Sequence, residues 1–151
     1  MDVLDLMDAL QVHAAAAAVT AGGVTFSDVA VGFPAARGRC VRIFYGGERE
    51  VEHFTEQKVL NAQLMAEAVI VRGYWPLSET AKKRQRIMEQ EIAVFVKDFR
   101  TRVLADSQLG GEAVDLNLNP AVCEQVIYAR TKYAVVDLEA VCDFSEYPIA
   151  P

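Results

Sequence analysis

The chain has 151 residues, of which 52% are hydrophobic and 24% charged, the balance of a folded protein with one sizeable core. Its net charge of −6 and pI near 4.9 speak against a domain that grips nucleic acid by its phosphates, since such domains carry a basic surplus. A surface past which DNA merely slides is compatible with that charge.

Residues 2–21, DVLDLMDALQVHAAAAAVTA, read as a helix: Val3, Leu6, Met7, Leu10, Ala14 and Ala17 recur at steps of three and four. Asp2 suits the cap, acids in the first turn suit the helix dipole, and Gly22-Gly23 end the pattern. The alanine-rich back half can lie close against a partner surface, whether the chain's own sheet or a neighbouring subunit. The chain opens with acids and has no basic region ahead of its apolar stretch, so a signal peptide is not expected. The apolar segment around the alanines is expected to be too short to span a bilayer, and no membrane partner is expected.

Residues 24–38 read as loop or short strand, with turn chemistry at Gly32-Phe33-Pro34 and at Gly38. Residues 39–45 are rich in β-branched and aromatic side chains and predict a strand. Gly46-Gly47 follow, then the charged run EREVEHFTEQK. Residues 59–74 predict a long strand closed by Pro76. Ser78 caps a long helix over 79–106 with the stripe Ala81, Met88, Ile92, Phe95, Val96, Phe99 and Val103. Lys82, Lys83, Arg84, Arg86, Glu89, Glu91, Lys97, Asp98, Arg100 and Arg102 form its solvated face. Beyond Gly110-Gly111, residues 122–128 alternate weakly and 134–144 alternate cleanly, with a hairpin connection at 129–132 and a loop-like tail. No repeat or linker divides the chain. The order predicts one α+β domain over 1–151: a mixed, largely antiparallel sheet with an N-terminal helix and one long central helix packed on it.

The candidate chemistry is thin. Gly46-Gly47 match neither phosphate-loop pattern, and Glu48, Glu50 and Glu52 would repel phosphate. A turn needing positive φ explains them better. A carboxylate–histidine site can be drawn from Glu50, His53 and Glu56, as a metal site or a small hydrolase-like enzyme, but one histidine among scattered acids is a weak pattern and His13 lies elsewhere. No serine sits in a nucleophile elbow, and Cys40 has no evident base. Asp137 and Glu139 lie on a strand's polar face, and Tyr74 and Trp75 at a strand end suit core or interface better than a pocket. Cys40, Cys123 and Cys142 fit no zinc or redox spacing and read as buried free thiols in a reducing cytoplasm. No cofactor is expected. The segment at 46–57 is left as either a solvated loop or a projecting arm that contacts another subunit, with Val51 and Phe54 as its apolar points.

The acidic-capped opening helix, the run VRIFYGGEREVEHFTEQKVLNAQLMAEAVIVRGYWP, the 78–106 helix and the closing hairpin CEQVIYARTKYAVVDLEAVCDF together resemble the tail terminator (tail-tube capping) proteins of long-tailed bacteriophages. The likeness covers nearly the whole chain and lies in element order and texture. It implies helices packed on a mixed sheet. It also implies a structural, non-enzymatic protein of the virion, assembled in the host cytoplasm, that forms a homohexameric ring on the last tail-tube ring and stops tail growth. Its implied partners are further copies of itself, the tail-tube protein and the head–tail connector protein. DNA would pass through the ring without specific binding. Contacts in that family come from loops and sheet edges, which map here onto Glu48, Arg49, Glu50, Val51, His53 and Phe54. A head–tail connector or stopper subunit shares much of this layout and is the structural alternative.

Overall fold

The computed structural model of the chain describes residues 3–22, 39–50, 65–77, 82–106, 115–128 and 130–143. The elements run α1 (Val3–Gly22), β1 (Cys40–Glu50), β2 (Met65–Pro76), α2 (Lys82–Ala105), β3 (Asp115–Leu118), β4 (Val122–Tyr128) and β5 (Thr131–Asp143). The five strands form one sheet in the order β1-β2-β5, with β3 and β4 side by side along the remaining flank of β5. β4 takes the first half of β5 and β3 its last four residues. The fold is α+β as expected, and the sheet, expected to be largely antiparallel, is antiparallel at every pairing among the described strands.

Both helices join the same hydrophobic cluster as one face of the sheet. On α1 the buried stripe is Leu6, Met7, Leu10, Ala14, Ala17, Ala18 and Ala21, the predicted phase extended by one turn. Alanines let this half of the helix approach the backbone of its neighbours closely, so burial comes from proximity rather than side-chain bulk. The helices run antiparallel: His13 on α1 lies 2.9 Å from the Asp106 carboxylate just past the end of α2, and Gly22, at φ +137°, lies against Glu91. At 20 residues α1 is long and apolar enough to cross a membrane, which corrects the expectation that it is too short. Its inner stripe is packed on sheet and helix all the same.

The predicted phase of α2 holds: Phe95, Phe99 and Val103 are buried, with Met88, Ile92 and Val96 leaning on the same cluster. Trp75 meets Phe95 edge-on at 5.7 Å between ring centroids, and Phe95 stacks on Phe99 at 6.1 Å. Gly73 makes room for that indole: a Cβ there would lie 2.4 Å from the Trp75 ring. Two residues assigned to the solvated face are engaged instead. Glu91 accepts from Arg39 Nη1 at 2.6 Å and from Trp75 Nε1 at 3.1 Å, which satisfies the buried indole N–H. Arg100 donates to the carbonyls of Leu118 at 3.4 Å and Asn119 at 3.2 Å. Ser78, Ala81 and the start predicted for this helix fall outside the described residues, as do residues 59–64 of the predicted long strand.

The helix-facing side of the sheet carries Val41, Ile43, Val69, Val71, Trp75, Val136, Leu138, Ala140 and Cys142, all buried. The opposite side is not simply polar. Cys40, Tyr74, Tyr133 and Val135 form a second buried cluster with Val126 against it, and Tyr74 meets Tyr133 edge-on at 5.8 Å. The first half of β5 is therefore apolar on both faces, and the half-buried alternation predicted for it describes only its second half. β3 went unpredicted because DLNL is four residues long; Leu116 and Leu118 pack partly buried against the main cluster. The β4–β5 reversal falls at the predicted hairpin: Tyr128 pairs with Thr131, and Arg130 takes φ +66°.

Candidate interaction surface

β1 does not stop at its glycines. The pairing with β2 shifts register between Tyr45 and Gly47, a β-bulge, and then resumes as Glu48 opposite Glu67, Arg49 opposite Ala66 and Glu50 opposite Met65. Gly47 takes φ +90°, a conformation that costs glycine little. A Cβ on Gly46 would press on Ile70 at 3.1 Å and on the Ala68 carbonyl at 3.3 Å. The positive φ expected here is present, but in a strand. The projecting segment therefore cannot begin at residue 46: Glu48, Arg49 and Glu50 belong to the sheet.

Arg49 is tied down. Its Nη1 donates to the carbonyls of Gly46 and Glu48, both at 3.0 Å, which braces the bulge. Its Nη2 reaches Glu139 Oε2 on β5 at 3.2 Å, passing over β2. Glu139 also accepts from Asn119 Nδ2 at 2.7 Å. Glu48 stands opposite Glu67, and Glu67 accepts the Tyr45 hydroxyl. That hydrogen bond, with burial and the nearby acids adding to it, pushes the Tyr45 phenol up to about 12. Val51, His53, Phe54 and Glu56 lie outside the described residues, and the Glu50–His53–Glu56 set falls there with them. Among the described residues no three His, Cys, Asp or Glu side chains converge to hold a metal.

Across the same face runs a row of charge. Arg42, Arg72 and Asp137 are cross-strand neighbours on β1, β2 and β5. Arg72 grips Asp137 through Nε at 2.5 Å and Nη2 at 2.8 Å, a two-pronged pair that raises the guanidinium pKa further although burial opposes it. The same guanidinium lies 5.3 Å from the Phe44 ring and 6.0 Å from the Tyr74 ring. Arg42 is only 5% exposed; its Nη1 donates to the Val41 carbonyl at 3.2 Å, and its Nε has no partner among the described residues. Burial pushes the neighbouring Cys40 thiol up, with Arg42 pulling partly against it. Burial likewise raises the Tyr74 phenol. Through the Arg72–Asp137 pair these groups tie β2 to β5. They do not form a nucleophile–base pair.

At the other flank α2 leaves β4 partly uncovered. A groove of about 760 Å³ runs between them, floored by Met88, Ile92, Val96, Ala121, Cys123 and Ala134. Cys123 is exposed there, which corrects the reading of three buried thiols; Cys40 and Cys142 are buried and all three are free. Val122 is 56% and Ile127 73% exposed. Sequence reasoning passed over this flank, although VCEQVIY carried a signal: an alternating strand with no lysine or proline to guard it. Comparison with known protein families and with characterised proteins returns no match for this chain.

Proposed function

We propose that this chain is a structural, ring-forming subunit of the tail terminator type, one that caps a phage tail tube, stops its polymerisation and forms the joint to the head connector. The observation that carries the reading is the root of the charged segment. β1 runs through its bulge to Glu50, and Arg49 pins that end to Glu139 two strands away. A strand end so braced gives a firm root for a contact between subunits, since preorganisation lowers the cost of binding. The helix–strand–strand–helix–strand order and the helices gathered on one face support the same reading. So does the acidic total: a ring of six would carry roughly −36, and acidic groups along a bore would let DNA pass without retention, where lysine and arginine would bind it.

The test separates assembly from folding. Deleting 48–56 would cut into β1 and is expected to destabilise the sheet. Deleting 51–56 alone, bridged by Gly-Ser, should leave the melting temperature within a few degrees of wild type, since surface loop length has a weak effect on stability. It should abolish ring formation and attachment to tail tubes, read by light scattering and electron microscopy with tubes added. Full attachment by the deletion variant would reject the reading.

A further inference from the structure

The two edges of the sheet are built differently. β1 carries the devices that discourage pairing with another chain: a bulge at Gly46-Gly47, and the inward-pointing charges of Arg42 and Arg49. β4 carries none of them, and among the described residues no strand pairs with its outer side.

The free side of β4 can be assigned residue by residue. Lys132 gives its carbonyl to Leu77, on the β2 side of β5. Its partner on β4, Ile127, therefore turns its own N–H and C=O away from β5, and Gln125 and Cys123 follow by alternation. These residues sit opposite Lys132, Ala134 and Val136, so their side chains share the helix-facing side of the sheet, where Cys123 and Gln125 border the groove against α2. A sixth strand laid along β4 would satisfy these three outward pairs of backbone groups. It would also set its own inward side chains over the apolar floor of the groove.

We infer that β4 is a pairing edge and that its occupant is β4 of a second copy, antiparallel about a two-fold axis through Gln125. Charge selects this register. Glu124 is the only charged residue in VCEQVIY. Centring the pair on Gln125 sets Glu124 beside Val126 of the other copy and Cys123 beside the exposed Ile127, with amide facing amide on the axis. Centring it on Glu124 would set two carboxylates face to face, which is unfavourable. The exposed apolar groups of the edge thus find apolar partners in the same strand, and no acid meets an acid. Two-fold pairing closes at two copies, whereas a six-membered ring needs head-to-tail surfaces, so this edge goes beyond the ring proposed above and is independent of it.

The experiment uses the full chain. Sedimentation or light scattering at tens of micromolar should show a dimer. Gln125→Pro removes an N–H that points away from β5, so it spares the ladder within the chain and should give a monomer with an unchanged circular dichroism spectrum. Ile127→Lys, at a residue that is 73% exposed, should also dissociate the dimer and does so without touching the backbone. In a Cys123→Ser background, Gln125→Cys should oxidise to a covalent dimer far faster than Glu124→Cys. The inference is overturned by a monomeric wild type, by a dimer that survives both Gln125→Pro and Ile127→Lys, or by preferential cross-linking at 124. A hexameric ring indifferent to both β4 substitutions would support the ring and reject this edge.

Discussion

A guanidinium that is 5% exposed, with an Nε unpartnered among the described residues, is costly wherever it sits, and Arg42 sits beside a second arginine. Arg72 is satisfied by Asp137, and its charge is shared with the rings of Phe44 and Tyr74. Arg42 donates to its own neighbour's carbonyl. Leaving such a group unmet costs about 1–3 kcal/mol. Arg42→Met preserves most of the aliphatic stem and removes the charge, so it is expected to leave stability unchanged or raise it by about 1–3 kcal/mol in urea denaturation. A clear loss would reveal an anionic partner for Arg42 outside the described residues. At this scale the sequence was legible where a residue answers to its local pattern. Tyr74 and Trp75 at a strand end read as core or interface, and both are core, on opposite faces of β2. Glu91 and Arg100 were misplaced because their partners come from other elements: Arg39 and Trp75 for one, the carbonyls after β3 for the other.

Among the elements, α2 tests the packing most directly because one helix carries both a buried and a clasping residue. Phe95→Ala or Phe99→Ala should each remove about 3–5 kcal/mol, since both rings are fully buried and stack on one another. A solvated Arg100 would cost less than about 0.5 kcal/mol on truncation. As a donor to two backbone carbonyls it should cost about 1–1.5 kcal/mol instead. Chemical denaturation of the three variants gives the comparison; an Arg100→Ala loss equal to that of Phe95→Ala would mean that the helix phase is wrong. Long periodic elements such as α1, α2 and the second half of β5 were readable because burial repeats every few residues along one segment. β1 was misread at its glycines for the opposite reason. Whether a Gly-Gly pair ends a strand or bulges it depends on what lies across the pairing, here Ala68 and Ile70 on β2. β3 left no periodic trace, since four residues give only two inward positions.

For the whole molecule, the resolved titrations of Cys40, Tyr45 and Tyr74 all point towards alkali. Each pKa is raised above its ordinary value, 9.0 for the thiol and 10.0 for the phenols. Burial is the main cause at Cys40 and Tyr74, and the Glu67 hydrogen bond at Tyr45. A group whose folded pKa is raised contributes stability that is fully present below its unfolded pKa and is lost as pH rises through the folded one. The melting temperature should therefore hold steady up to about pH 9 and fall progressively towards pH 12, with ionisation of Tyr45 among the last in an ultraviolet titration. A melting temperature that rises with pH across this window would contradict the placement of all three. The fold class was legible because it follows from element order. The interaction surface was legible only as a charged stretch of sequence. Its anchor, Arg49 to Glu139, joins residues 90 positions apart, and the bare edge of β4 is defined by the lack of a further strand beside it among the described residues.

The place of β5 at the centre of the sheet also sets a timetable. β2 can close against β1 soon after it leaves the ribosome, but its other side waits for Tyr133 to Cys142. At about 5–20 residues per second, the roughly 60 residues between them take about 3–12 seconds to be made. Until then Val69, Val71 and Trp75 have α1 and α2 for cover but no strand to seal their second flank. The nascent chain is thus held open on one side while residues 77–142 are made, a window in which a holding chaperone has an apolar strand edge to bind. Arrival of the β4–β5 hairpin then closes the central seam and presents the edge β4 in the same event.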